Sequence, residues 1–320
     1  MRSEIRYTIP MKNGPLLRIG TRGSPLARYQ AELVRAMLAS ENGVAPDEIE
    51  IVAIRTSGDA VRDRPLADVG GKGLFTKEIE EALLDGRVDL AVHSAKDVPT
   101  FLPDGLTLAA YPQREDPRDA FVSGIVDSIA ALPRGAVVGS ASVRREALIR
   151  RMRADIEVKL LRGNVHTRLE KVANGIFAGS VLAIAGLKRL GLEGQARELL
   201  DPAIFPPSVG QGAIAVEIRA DDSATAERVR KIDHAPTSTA LAAERAFLAE
   251  LDGSCRAPIA GHARIENGRV EFYGLLIAPD GREFVETRRE GVAADAAALG
   301  ADAGQELKRR ASAALRAVLT

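Results

Sequence analysis

Apolar and polar positions along the first 220 residues follow two alternating rhythms. Short apolar runs bounded by Gly or polar residues predict strands: "PLLRIG" (15–20), "EIVAIRT" (50–56) and "VDLAVHS" (88–94). Between them lie stretches of helical period. In "SPLARYQAELVRAMLAS" (24–40) apolar residues recur at 26, 29, 33, 34 and 37, behind Ser24 at the N-cap and Pro25 at the first helical position. "TKEIEEALLDG" (76–86) is the next helix. A second set follows, with strands "AFVS" (120–123), "GAVVGS" (135–140), "EVKLL" (157–161) and "SVLAIAG" (180–186). Its helices are "VRREALIRRM" (143–152) and "NVHTRLEKVANG" (164–175), and "GAIAVEIR" (212–219) adds one more apolar strand. The β-α-β order predicts two α/β units with parallel sheets covered by helices.

From about residue 236 the rhythm changes. A long amphipathic helix, 237–253, leads into "GSCRAPIAG", and the segment from 261 then alternates apolar and polar residues. Asn267-Gly268 and Asp280-Gly281 interrupt that alternation where tight hairpin turns are expected. An Ala-rich helix over about 293–319 closes the chain. This third part is an α+β unit with a small antiparallel sheet.

Composition narrows the function classes. The chain of 320 residues exceeds one hydrophobic core, so about two or three domains are expected. Lys+Arg and Asp+Glu both number 44, which argues against a nucleic-acid-binding domain, and 4% aromatic residues without Trp leave no stacking platform for bases. No apolar run has the length of a membrane span, so no membrane partner is expected. The N-terminus, with Glu4 and Pro10, does not read as a secretory signal. A single cysteine fits a reducing cytoplasm, where the protein is expected to work.

Charge is uneven within this neutral total. Residues 144–168 hold eight cations against three acids, a net of +5. Arg144, Arg145 and Arg162 fall at strand-to-helix junctions, as does Arg22 in "RIGTRGSP". In open α/β sheets such junctions line the ligand cleft, and a guanidinium there suits a carboxylate or phosphate. Arg22, Arg144, Arg145, Arg162 and Arg168 are therefore assigned to a cleft, and Arg150, Arg151 and Arg153 to a solvated helix face.

Several motifs fail on geometry. His93, Ser94 and Asp97 in "VHSAKDVPT" do not make a hydrolase triad, because neighbouring strand residues point to opposite faces and no nucleophile elbow is present. "DVGGKGLFTKE" (68–78) lacks phosphate-loop spacing; with the charged stretch before it, it reads as a lid over a cleft or as an ordinary surface loop. The four histidines show no ligand spacing, and no metal is expected. Asp97, beside Lys96 at a strand's carboxyl end, is open between a cleft carboxylate and a turn residue. Cys255 is open between a packed thiol and a reactive one, since Arg256 would lower its pKa.

Taken together, "TRGSPLA", "GGKGLFTKE", "AVHSAKDVP", "REDPRDAFVS", "SVRREA", "LRGNVHTRL", "AIAGLKRLG", "VGQGA", "AERAFL" and "GSCRAPIA" resemble the porphobilinogen deaminase family in order, from about residue 16 to near the end. The resemblance implies an α/β fold of two periplasmic-binding-protein-like, doubly wound lobes plus a C-terminal α+β domain with a small antiparallel sheet. The boundaries it suggests are 1–112 with 213–232, then 113–212, then 233–320. It implies a thioether from Cys255 to a dipyrromethane cofactor, and Asp97 as the catalytic carboxylate. Arg144, Arg145, Lys96, Ser142, Ser94 and Arg162 are implied around the cofactor, and Arg22, Arg168 and Lys72 around the substrate.

The implied reaction joins four porphobilinogen molecules head to tail on that primer, releasing ammonia and hydroxymethylbilane for tetrapyrrole biosynthesis. Expected partners are porphobilinogen and the growing oligopyrrole chain, and the protein is expected to be a monomer. Two departures stand out: Asp68, where many relatives carry lysine, and Ala141, where a hydroxyl residue is common. The rival reading is a non-catalytic anion-binding protein with two α/β lobes around a basic cleft.

Overall fold

A computed structural model describes residues 14–60, 73–251 and 257–319. Lys72, Asp68 and Cys255 lie outside the described residues. The first sheet is built from β1 (Leu17–Arg22), β2 (Ile49–Ile54), β3 (Leu90–Ser94), β4 (Leu106–Ala110) and β10 (Ile214–Arg219), in the order β2-β1-β3-β10-β4. With it come α1 (Pro25–Asn42), α2 (Ser57–Ala60), α3 (Lys77–Leu84) and α7 (Ser223–Arg230). The second sheet takes β5 (Asp119–Val122), β6 (Val137–Ser140), β7 (Glu157–Leu160), β8 (Gly179–Ala183) and β9 (Glu198–Leu199), in the order β7-β6-β8-β5-β9. Its helices are α4 (Val143–Met152), α5 (Val165–Ala173) and α6 (Ile184–Arg189).

Neither sheet is wholly parallel, contrary to expectation. β10 runs antiparallel to β3 and β4, and β5 antiparallel to β8 and β9. Each of these strands enters its sheet directly from the other sheet, β5 after β4 and β10 after β9, so no βαβ crossover within one sheet sets its direction. The expected strand over 180–186 also stops early. Its "IAGLKR" portion forms α6, where Ile184, Ala185 and Leu187 are all buried.

The third unit pairs β11 (Ile259–Glu266), β12 (Arg269–Ile277) and β13 (Phe284–Val292) as an antiparallel meander. Asn267 and Gly268 both take positive φ, 50° and 74°, as a two-residue hairpin turn needs. Helix α8 (Ala235–Glu250) crosses α9 (Ala296–Arg310) over this sheet. The closing helix is two pieces rather than one: after a break at Ala311, Ser312 caps α10 (Ala313–Ala317) by accepting from Leu315 N at 3.1 Å.

The three largest apolar clusters among the described residues hold the units together. Leu17, Ile19, Val34, Leu38, Leu90 and Ile218 fill one face of the first sheet. The core of the second sheet admits Ala260, Leu275 and Ile277 from the third unit, and the third unit's own core admits Ala95, Val98 and Ala215 from the first. The third unit is thus packed on both lobes. Glu244 of α8, fully buried, binds the chain that links the lobes: it accepts from Arg114 Nη1 at 2.6 Å, from Gly210 N at 2.7 Å and from Ala263 N at 2.9 Å.

Candidate active site

The cleft starts where β1 and β3 end. Arg22, Ser24, Gln30, Phe75, Thr76, His93, Ser94 and Asp97 line one pocket there. Ser24 accepts from Ala27 N at 3.3 Å and fixes the start of α1. The Arg22 guanidinium lies 4.1 Å from the centre of the Phe75 ring, a cation–π contact. Ser94 hydrogen-bonds to the Gln30 side chain at 3.0 Å, on the α1 side of the sheet. His93, one residue earlier, points to the opposite face and meets Glu217, so the rejected triad is absent in three dimensions too.

A short turn, Ala95–Asp97, carries the next residues from the end of β3 into the cleft. The loop 206–212 presses on it. Gly210 has φ 74°, and a Cβ there would lie 2.9 Å from the Ala95 carbonyl carbon and the Lys96 nitrogen. Only glycine lets that backbone approach.

From the second lobe come the guanidiniums. Ser142 caps α4 by accepting from Arg145 N at 3.4 Å, which places Arg144 and Arg145 in the first helical turn. Both are buried, and both hold the carboxylate of Asp119: Arg144 Nη2 at 2.7 Å and Arg145 Nη2 at 2.7 Å. Gln211 Nε2 adds a bond to Asp119 at 3.0 Å. Burial pushes the Asp119 carboxyl up, but Arg144 and Arg145 overcome it and hold the group at about 2. Arg144 Nε is buried with no hydrogen-bond partner among the described residues.

The same cluster acts on its neighbours. Burial, and then the charge of Arg145, lower Lys96 to about 8, against the pull of Asp97 and Asp119. Arg168, whose Nε donates to Gly163 O at 2.9 Å, is lowered to about 10 by burial and then by Arg145 and Arg162, while Asp97 opposes the shift. The structure therefore gathers Lys96, Arg144, Arg145, Arg162 and Arg168 around two carboxylates, Asp97 and Asp119. Such a cluster of cations has the chemistry to bind a polyanion.

The outer end of α4 differs. Arg150 pairs with Glu146 at 2.7 Å on the surface, and Arg151 stacks 3.7 Å over the Phe284 ring. Arg153 does more than face solvent, bonding Asp155 and the carbonyls of Ile129, Ala130 and Leu132. Sequence reasoning missed Asp119, Gln211, Gln30 and Phe75. An Asp opening an apolar strand was the one available signal for Asp119, because a buried carboxylate needs a partner.

Two family models match the chain: "Porphobilinogen deaminase, dipyromethane cofactor binding domain" over residues 17–227, and "Porphobilinogen deaminase, C-terminal domain" over 238–309. A porphobilinogen deaminase of Nitrobacter winogradskyi is 58% identical over 296 residues, covering 92% of this chain and 94% of the relative. One from Nitrobacter hamburgensis is 57% identical with the same coverage. Among solved structures, a periplasmic substrate-binding protein of an ABC transporter from Coxiella burnetii aligns with TM-score 0.43 at 14% identity, covering 69% of this chain and 93% of that one. The rival expectation of a non-catalytic anion-binding protein finds no support in the family models or the relatives.

Proposed function

This chain belongs to the porphobilinogen deaminase family, and on that footing we infer that it is a transferase of the hydroxymethylbilane synthase type, with Asp97 as its catalytic carboxylate. The observation that carries the reading is the placing of Asp97 beside Lys96 of its own lobe and Arg168 of the other, at the edge of a cluster that also holds Arg144, Arg145 and Arg162. Each porphobilinogen brings two carboxylates, so a chain lengthening by four units accumulates negative charge that only such a cluster can offset.

The residues fit the family's cofactor. Arg144 and Arg145 offer buried guanidiniums, one with an unused Nε, and Lys96 and Arg162 stand beside them. Joined through sulfur to Cys255, a dipyrromethane would supply a free pyrrole α-carbon as the point of extension. Cys255 itself falls between Leu251, at the end of α8, and Ala257, both buried.

In this reading Asp97 does two things. Its carboxylate stabilises the positive charge that develops on the pyrrole as ammonia departs, and it takes up a proton as the new carbon–carbon bond forms. Lys96, Arg22 and Arg168 orient the substrate's acetate and propionate, and Ser94 and Ser142 add hydrogen bonds. Lys72, outside the described residues, is assigned to substrate binding in the lid. The division into 1–112 with 213–232, 113–212 and 233–320, a monomeric state and a cytoplasmic setting complete the reading.

The test is the intact mass of freshly purified protein. A dipyrromethane excess that disappears in Cys255→Ser is the expected result. A wild-type mass equal to the bare polypeptide, with full turnover, would overturn it.

A further inference from the structure

One group of ionisable residues lies behind the cleft and has no part in the mechanism above. On the first sheet, residues opposite each other in the antiparallel β3–β10 pair share a face, so His93 and Glu217 lie on the same face as Ala91, which packs against α3. The core on that face is apolar, made of Ile79, Leu83, Val88 and Ala91. Within it His93 Nε2 lies 3.1 Å from Glu217 Oε2, with side-chain exposures of 3% and 0%. Glu80 enters from α3, itself 6% exposed. The second oxygen of Glu217 and one oxygen of Glu80 have no hydrogen-bond partner among the described residues. Burying such groups costs stability that an apolar trio would avoid. Yet His93 also lines the same pocket as Ser94, Asp97 and Arg22.

We propose that His93 is a proton-transfer residue of the condensation, with Glu217 and Glu80 as positioning residues behind it. This rests on the assignment of the Asp97 cleft as the place of reaction. Each addition breaks the carbon–nitrogen bond of an aminomethyl group, which enters as an ammonium, and forms a carbon–carbon bond at a free pyrrole α-carbon. Ammonia departs with the C–N electron pair, and the α-carbon sheds one proton. That proton leaves with the ammonia as ammonium ion, so one proton crosses the site per cycle and none is consumed.

Glu217 as a carboxylate can only accept a hydrogen bond, so the hydrogen sits on Nε2 of His93 and Nδ1 is the ring atom left to receive a proton. Asp97 can then hand its proton on and return to the ionised form needed for the next departure of ammonia. The imidazolium so formed is held by the carboxylate at its back, an arrangement of base and orienting acid, until it gives the proton to the departing ammonia and returns to the neutral ring. The other titratable groups near His93 are Glu80 of α3 and, lining the same pocket, Arg22 and Asp97. Burial raises Glu80 from its ordinary value, the Thr76 hydroxyl opposes that shift, and the charge of Glu217 adds to it.

The experiment compares Glu217→Gln and His93→Gln with wild type, as loaded enzyme of verified mass. Glu217→Gln removes the negative charge behind His93, and its amide can pair with either tautomer, so an imidazolium loses its support while the ring can stay in place. Both variants should lose about tenfold or more in kcat, with KM within about twofold and one limb of the pH–kcat profile displaced. Variants that melt earlier but keep kcat and the profile would mark the trio as structural and overturn the proposal. Should neither variant fold, ring nitrogen NMR on wild type decides, with the other three histidines assigned through His166→Gln, His234→Gln and His262→Gln. The expected His93 signal is the Nε2–H tautomer, titrating with one limb of the kcat profile. The Nδ1–H tautomer, or no matching titration, would refute it. An active Asp97→Asn would instead remove the cleft assignment itself, whereas an inactive Asp97→Asn with unimpaired Glu217→Gln sinks only this proposal.

Discussion

The first sheet runs β2-β1-β3-β10-β4 and the second β7-β6-β8-β5-β9, and in each the fourth strand is antiparallel to the third. In each, that fourth strand also carries a fully buried carboxylate: Glu217 on β10 and Asp119 on β5. What the carboxylate holds differs. In the first lobe it meets the imidazole of His93, and in the second the guanidiniums of Arg144 and Arg145. The frame therefore decides where polar residues reach the cleft, at strand ends, while the residue types decide its sign. One lobe presents a carboxylate, Asp97, and the other a bank of cations.

The sharpest way to break that contrast is to remove the first lobe's charge. Asp97→Asn keeps the size of the side chain and should lose about 10²–10⁴ in kcat, with the melting temperature little changed. Steady-state turnover of porphobilinogen checks it, and near-wild-type turnover would contradict the division of labour between lobes. The matching change in the second lobe is Asp119→Asn. It leaves two buried guanidiniums facing one neutral amide, so we expect a loss of about 3–5 kcal/mol in unfolding free energy. Denaturant titration measures that loss. A change under about 1 kcal/mol would mean that Asp119 does not hold the arginines.

Lys96 stands between the two lobes and sharpens the comparison through pH. Burial, then Arg145, bring it from 10.5 to about 8. Between those values the unfolded chain binds more protons than the folded one, so the contribution of Lys96 to stability rises with pH across this window and is lost as pH falls through about 8. Anion binding runs the other way, because the cleft loses a cation above pH 8. Lys96→Gln should leave the melting temperature at pH 7 equal or higher, raise KM about tenfold, and flatten the alkaline rise in KM. A KM that still climbs above pH 8 in the variant would assign that limb to another group.

Much of this was legible in the sequence for particular reasons. Helix α4 begins at Val143 as expected because Ser142 is a strong N-cap, and Asn267-Gly268 dictates its hairpin. The arginines at strand ends were placed by the β-α rhythm. Strand direction was not legible: "GAIAVEIR" reads the same either way, and β10 enters its sheet from the other lobe rather than over a βαβ crossover. Nor was the cluster around Asp119, because its parts stand at 119, 144–145 and 211, and no local pattern reports a contact across such separations. Asp97 remained ambiguous by spacing alone for the same reason, since the cations that mark it out come partly from another lobe.

The smallest expected effect tests where the cationic region ends. Arg144 and Arg150 lie on one helix, about 9 Å apart along its axis at 1.5 Å per residue, close to the screening length of about 8 Å at physiological salt. Arg144 is buried against Asp119, whereas the Arg150 and Glu146 side chains are 37% and 31% exposed and form an i,i+4 pair. Such pairs contribute about 0.3–0.5 kcal/mol. Arg150→Ala should therefore shift unfolding free energy by no more than about 0.5 kcal/mol and leave KM for porphobilinogen unchanged. A severalfold rise in KM at physiological salt would mean that the outer turn of α4 belongs to the anion site. The contrast between the buried and solvated ends of that helix would then have to be redrawn.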